Sequence, residues 1–130
     1  MTLIAILSFT AYSSEIQALK LKLEKVNYFS VGMNSFIRHQ NKGEKTHNAI
    51  LPTDNPKEIF IKIIKNSEST NEAKLYAACS LHYLKGENID LFFNKHEKRG
   101  DVSILRGDIL TKRNFNDALN SVITNGCDTN

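Results

Sequence analysis

The sequence has no tryptophan, two prolines, two cysteines and six glycines. It holds no glycine-rich phosphate loop and no nucleophile elbow, so neither of those routes to catalysis is legible. The two cysteines, Cys79 and Cys127, are far outside the close spacing of a zinc finger's cysteine pair. None of the four histidines, His39, His47, His82 and His96, stands at a recognised zinc spacing from another His or Cys. No charge of one sign dominates: 17 Lys and Arg are scattered among 14 Asp and Glu, a net charge of +3 that builds no basic stripe for nucleic acid. No segment repeats at a fixed period, although the consecutive short helices resemble a helical hairpin array. What remains is ordinary globular material, 41% hydrophobic and 24% charged over 130 residues, the size of one domain.

The first apolar stretch, Thr2 to Tyr12, is uncharged, and its length suits a signal-peptide core and not a membrane span. Ala11 and Ser13 supply small residues at the minus-three and minus-one positions of a cleavage site, and charge begins at Glu15. No Lys or Arg precedes the run, so the basic n-region is missing, as it would be if the true start lay upstream of Met1. No cysteine marks a lipid-anchor junction. We read residues 1–13 as signal-peptide-like and residues 14–130 as a single globular domain, periplasmic or secreted. The alternative is a buried N-terminal strand or helix of a cytosolic protein.

The strongest element expected in the mature chain is a helix over residues 70–85. Ser69 and Glu72 spell a capping box at its start, and Lys85 and Gly86 suit its end. Leu75, Tyr76, Ala77, Ala78, Cys79, Leu81, Tyr83 and Leu84 cover most of its circumference, the pattern of a buried central helix. Before it, Ile16, Leu19, Leu23 and Val26 mark one face of a first helix, with Leu21 outside the stripe. Pro56 opens another helix, carrying Ile59, Phe60, Ile63 and Ile64. Between these two lies a loop, or a loop leading into a short helix from Glu44 to Leu51. After Gly86, Asn88 caps a short helix. Thr111 or Asn114 starts a last one, with Phe115, Leu119, Val122 and Ile123 inward and Gly126 at its end. Two extended segments, about 28–36 and 101–111, complete the set, with Gly107 interrupting the second. The expected fold is mostly α (α+β): a compact multi-helix domain around the 70–85 helix, with those two segments as a minor two-stranded element.

Phe29-Ser30-Val31-Gly32, Gly43-Glu44 and Ala73-Lys74-Leu75-Tyr76-Ala77-Ala78-Cys79-Ser80-Leu81 together resemble a family of small exported bacterial proteins of unknown function, some associated with microcin gene clusters. The segment Val102 to Leu110 is similar to a family element that typically ends in Gly-Cys-Ile. Here it reads Gly107-Asp108-Ile109, so the family's second cysteine is absent from that place. The resemblance implies export and a mostly helical fold. It supplies no catalytic residue.

The candidate chemistry is sparse. Given export, the even pair Cys79 and Cys127 is a disulfide candidate, closing a loop of about 48 residues. The alternatives are a buried free Cys79 and a loose Cys127, or pairing between molecules. Cys79 and His82 lie one helical turn apart, which admits a shared ion or a nucleophile–base pair. Cys79, however, sits amid Ala and Leu inside a helix, where burial silences a thiol. Arg106-Gly107-Asp108 spells the tripeptide read by integrins, and its place in an expected strand favours a glycine bulge with solvent-facing charges. Lys95, Lys98 and Arg99 form a small basic cluster broken by Glu97, the composition of a solvated turn. We therefore expect no catalytic, cofactor-binding or metal-ligating residue, no nucleic-acid partner and no stable membrane span. The expected function is binding to a protein partner not yet identified, as an accessory or immunity-type factor. The alternatives are a small enzyme with a dispersed site, or a structural subunit of an envelope assembly.

Overall fold

The structure is a computed structural model that describes residues 14–30 and 42–127. The signal-like segment and positions 31–36 of the first expected strand lie outside the described residues, as does His39. Among the described residues there are five α-helices and one two-stranded antiparallel sheet, a mostly α, α+β fold. The helices are α1 (residues 14–24), α2 (Lys42–Ile50), α3 (Pro56–Lys65), α4 (Asn71–Tyr83) and α5 (Phe115–Asn125). A 3-10 turn, Ile89–Phe92, follows α4, and the strands β1 (Asp101–Arg106) and β2 (Ile109–Asn114) precede α5.

Helix α4 is the hub. It packs against α2, α3, α5, the 3-10 turn and β1. Every residue from Ala73 to Leu81 is buried, so the apolar circumference read from the sequence is matched by neighbours over that span. Tyr83, counted in that circumference, instead faces solvent, 70% exposed at the last turn. Around it, Leu23 of α1, Ile50 of α2, Phe60, Ile63 and Ile64 of α3, and Phe115, Leu119 and Val122 of α5 close the core. Leu21, outside the α1 stripe, faces solvent as expected.

The ends of α4 differ from the expected caps by one residue each. Thr70, not Ser69, is the N-cap, and its hydroxyl accepts from the Ala73 N–H at 3.0 Å. Glu72 does not reach back. Its Oε2 accepts from the Ser103 N–H of β1 at 2.7 Å, which joins the helix to the sheet. At the other end Lys85, not Gly86, is left-handed, with φ +58°. The Lys85 N–H donates to the His82 carbonyl and the Gly86 N–H to the Leu81 carbonyl, the paired bonds of a Schellman motif.

The β element also differs from expectation. The expected strand 101–111 folds as a hairpin with its turn at Gly107-Asp108. Gly107 takes φ +59° and Asp108 stays out of the positive-φ region, the pattern of a two-residue type II′ turn. Within 28–36, the described part contributes one bridge, Phe29 to Ile104, parallel to β1. Sheet order therefore places β1 between Phe29 and β2. Val102 and Ile104 are buried against the helices, whereas β2 is exposed along most of its length.

Candidate functional site

Cys79 and Cys127 are joined by a disulfide, with Cα atoms 4.8 Å apart across 48 residues of sequence. The bond lies inside the Cα range that the linkage allows. It ties Cys127, two residues beyond the end of α5, to α4. Gly126 makes the approach possible: it takes φ +84°, and a Cβ there would sit 2.9 Å from His82 Cδ2. His82 Nδ1 lies 3.2 Å from the Ile123 carbonyl. Cys79 thus offers no thiolate, and His82 faces α5 and not an open ligand position. A disulfide of this kind is compatible with a periplasmic or extracellular location. Among the described residues no helix is long and apolar enough to cross a membrane, and no group of three His, Cys, Asp or Glu is placed to hold a metal ion.

A second polar centre lies inside the core, where no sequence spacing announced it. His47 of α2 places Nδ1 3.0 Å from Ser80 Oγ of α4. Burial removes water from the imidazole and pushes its pKa from 6.5 down to about 4, so it is neutral at pH 7. Tyr76, one turn before Ser80, packs its ring against Phe29 and His47, tilted by 48° and 33°, with centroids 4.6 and 5.2 Å away. Its hydroxyl accepts from the Ser30 N–H and donates to the Ser30 carbonyl. Ser80 is wholly buried and His47 is 5% exposed. This centre fixes α2 and the Phe29 bridge to α4.

A shallow cleft of about 350 Å³ between α1 and α3 is lined by Ile16, Gln17, Lys20, Ile59 and Lys62, and Tyr83 and Leu91 stand singly exposed, at 70% and 75%. Two further surfaces are open. A cleft of about 310 Å³ between the end of α1 and the start of α2 is lined by Lys22, Lys25, Lys42, Val26, Tyr28 and Gly43. The other surface is the hairpin. Ile109 and Leu110 are 67% and 60% exposed, and Arg106-Gly107-Asp108 lies at the tip instead of in mid-strand. Lys112 and Arg113 follow on the same strand, and neither forms an ion pair among the described residues. His96 is exposed on a separate turn, and Lys98 of the nearby basic cluster pairs with Asp90 at 2.7 Å. Sequence reading missed the hairpin as a surface because it read Gly107 as an interruption.

The base of this hairpin is rigid. Asn71 Nδ2 donates to the carbonyls of Arg99 and Asp101, Glu72 holds Ser103, and the Phe115 N–H donates to the Gly100 carbonyl. Asn114 then caps α5 by accepting from the Asp117 N–H. Two exposed aliphatic side chains, Ile109 and Leu110, beside a charged tip on a fixed base are an arrangement suited to contact with another macromolecule.

No protein-family model, no curated protein and no solved structure matches this chain.

Proposed function

We propose that this is a small exported bacterial protein that acts by binding another protein, as an accessory or immunity-type factor, and that the β1–β2 hairpin is its contact surface. The observation that carries the reading is the exposed pair Ile109–Leu110 on a strand whose partner, β1, is anchored to the core. Folding does not require those side chains: they bury little, and water around two large aliphatic groups is a standing cost that a partner would remove. The Cys79–Cys127 disulfide supports the location, since such bonds persist in oxidising compartments. The resemblance to exported, microcin-associated proteins points the same way.

The test is photo-cross-linking in living cells, with a photoreactive residue at position 110 and a control at exposed Asn48 on α2. A discrete adduct from position 110, absent from position 48 and recovered in the exported fraction, is the expected result. Equal adducts from both positions, or cytoplasmic protein retaining residues 2–13, would overturn the reading.

A further inference from the structure

We propose that the free edge of β2 is a docking rail for an extended acidic peptide segment, which adds to the sheet as a third strand beside β2. This deepens the binding role proposed for the hairpin and rests on it.

The backbone pattern carries the argument. Ser103 and Leu105 of β1 turn their backbone groups toward Phe29: the Phe29 N–H donates to the Ser103 carbonyl, and the Leu105 N–H donates to the Phe29 carbonyl. The alternate residues Val102, Ile104 and Arg106 therefore face β2. The register pairs them with Arg113, Thr111 and Ile109. In an antiparallel ladder hydrogen-bonded pairs alternate with non-bonded ones. Leu110 and Lys112 are thus the residues that direct N–H and C=O away from the sheet. Among the described residues nothing pairs with that edge. The opposite edge of the sheet is closed, by Phe29 and by the Glu72 carboxylate on the Ser103 N–H. An open edge of this kind recruits extended peptides, with main-chain bonds giving affinity and alternate side chains giving specificity.

Charge chooses the occupant. Paired with itself in antiparallel fashion, β2 would bring Lys112 and Arg113 of both copies into one ladder, four cations with no acid among the strand residues Ile109–Asn114. In the register that sets Lys112 opposite its own copy the like charges repel, and an edge lysine is a usual guard against self-pairing. The same cations welcome carboxylates. An antiparallel guest would read acidic, acidic, polar, apolar, apolar from its N-terminus, opposite Arg113, Lys112, Thr111, Leu110 and Ile109 in turn. A parallel guest carries the same residues in reverse order.

The experiment uses the full oxidised chain and synthetic, end-capped peptides. The probes are Glu-Glu-Thr-Val-Ile-Thr, its reversed sequence, and the charge-swapped Lys-Lys-Thr-Val-Ile-Thr. Binding is read by titration with amide chemical shifts. Saturable binding of one acidic peptide is expected, with shifts concentrated on residues 109–113. Two variants test the mechanism, with melting temperature as the check on folding. Leu110→Pro removes an outward N–H and spares the ladder to β1, so at least tenfold weaker binding is expected. Lys112→Glu with Arg113→Glu should reverse the preference, favouring the swapped peptide by about tenfold. Absence of saturable binding by either acidic peptide overturns the proposal, as does binding indifferent to Leu110→Pro or to charge reversal. Concentration-dependent dimerisation abolished by Leu110→Pro would overturn it in favour of a second copy of the chain. If the peptides fail while the in-cell adduct from position 110 persists, the hairpin remains a binding surface and strand addition alone is wrong. Loss of both sinks the binding reading as well.

Discussion

Helix α4 and strand β2 are opposite extremes of one small fold. From Ala73 to Leu81 the helix has no exposed residue, and α2, α3, α5 and β1 all pack on it. Its cysteine is bonded, its serine is matched to a histidine, and its tyrosine hydroxyl grips the Ser30 backbone. Strand β2, one residue from the start of α5, has exposed side chains on both faces and pairs only with β1 among the described residues. The contrast separates residues that are informative for folding from residues that are informative for function. A position sealed on every side is explained by packing. An exposed aliphatic pair on an unpaired strand edge is not, and selection for folding alone leaves it unaccounted for.

The largest expected effect comes from opening the sealed side. Leu75→Ala removes a fully buried side chain of α4 and leaves a cavity that its rigid neighbours cannot fill. Destabilisation toward the upper end of about 2–5 kcal/mol is expected in denaturant titrations. If the loss is no greater than for a surface substitution, α4 is not the hub.

Next in size is the tether. Replacing Cys79 and Cys127 together with Ala should cost about 4 kcal/mol, the chain-entropy value for a 48-residue loop. That loss arises in the unfolded state, and the folded-state contacts removed are those of α4 and α5, so the amide resonances of residues 109–112 should hardly move. Intact mass with thiol alkylation checks the premise: unreduced, denatured protein should take up no label and remain monomeric. Two labelled thiols would remove the tether from the account.

His47 gives a smaller, pH-dependent effect. The unfolded chain binds a proton at this residue below about pH 6.5, whereas in the folded protein burial holds the imidazole neutral down to about pH 4. Stability from this residue is therefore fully present above pH 6.5 and is lost as pH falls through that window, by about 3 kcal/mol in all. The difference between wild type and His47→Gln in urea titrations at pH 7, 5.5 and 4 isolates it from the carboxylates. A difference that does not change with pH would mean that the His47–Ser80 contact opens to solvent.

Much of this fold was written in local pattern, and the failures have physical causes. The bounds of α3 followed from Pro56 and from the spacing of Ile59, Phe60, Ile63 and Ile64. Of the two starts read for α5, Asn114 is its N-cap and Thr111 lies in β2, while Gly126 ends the helix as expected. The N-cap of α4 slipped from Ser69 to Thr70 because both carry hydroxyls, and what separates them is distant: Glu72 is engaged by the Ser103 N–H, 31 residues away. Ser69 is left with a buried hydroxyl that has no hydrogen-bond partner among the described residues. Strand β2 was missed because alternation is a signature of one buried face, and β2 buries neither. For the same reason the candidate interface was invisible, since its defining property is the lack of a neighbour. The contacts of His47 and Tyr76 span 33 and 46 residues and have no local signature at all.

The smallest expected effect is the most direct test of the contrast, because it makes one chemical change in both strands of the hairpin. Ile104 and Ile109 are both isoleucines on the face of the sheet turned toward the helices, five residues apart, but Ile104 is 2% exposed and Ile109 is 67% exposed. Ile104→Ala withdraws a side chain that packs in the core beneath Phe29 and should cost about 2–5 kcal/mol. Ile109→Ala removes atoms already in water, so the change in stability should stay within about 0.5 kcal/mol. β-propensity pulls weakly against the alanine, and the loss of exposed apolar area pulls the other way in solubility. If stability alone distinguishes the two positions, the hairpin is merely lopsided. If Ile109→Ala leaves the melting curve in place and weakens the in-cell adduct at position 110, the exposed strand is retained for contact. A cost above about 1 kcal/mol at Ile109 would mean that β2 is packed in the native protein, and the division between a sealed helix and an open strand would fall.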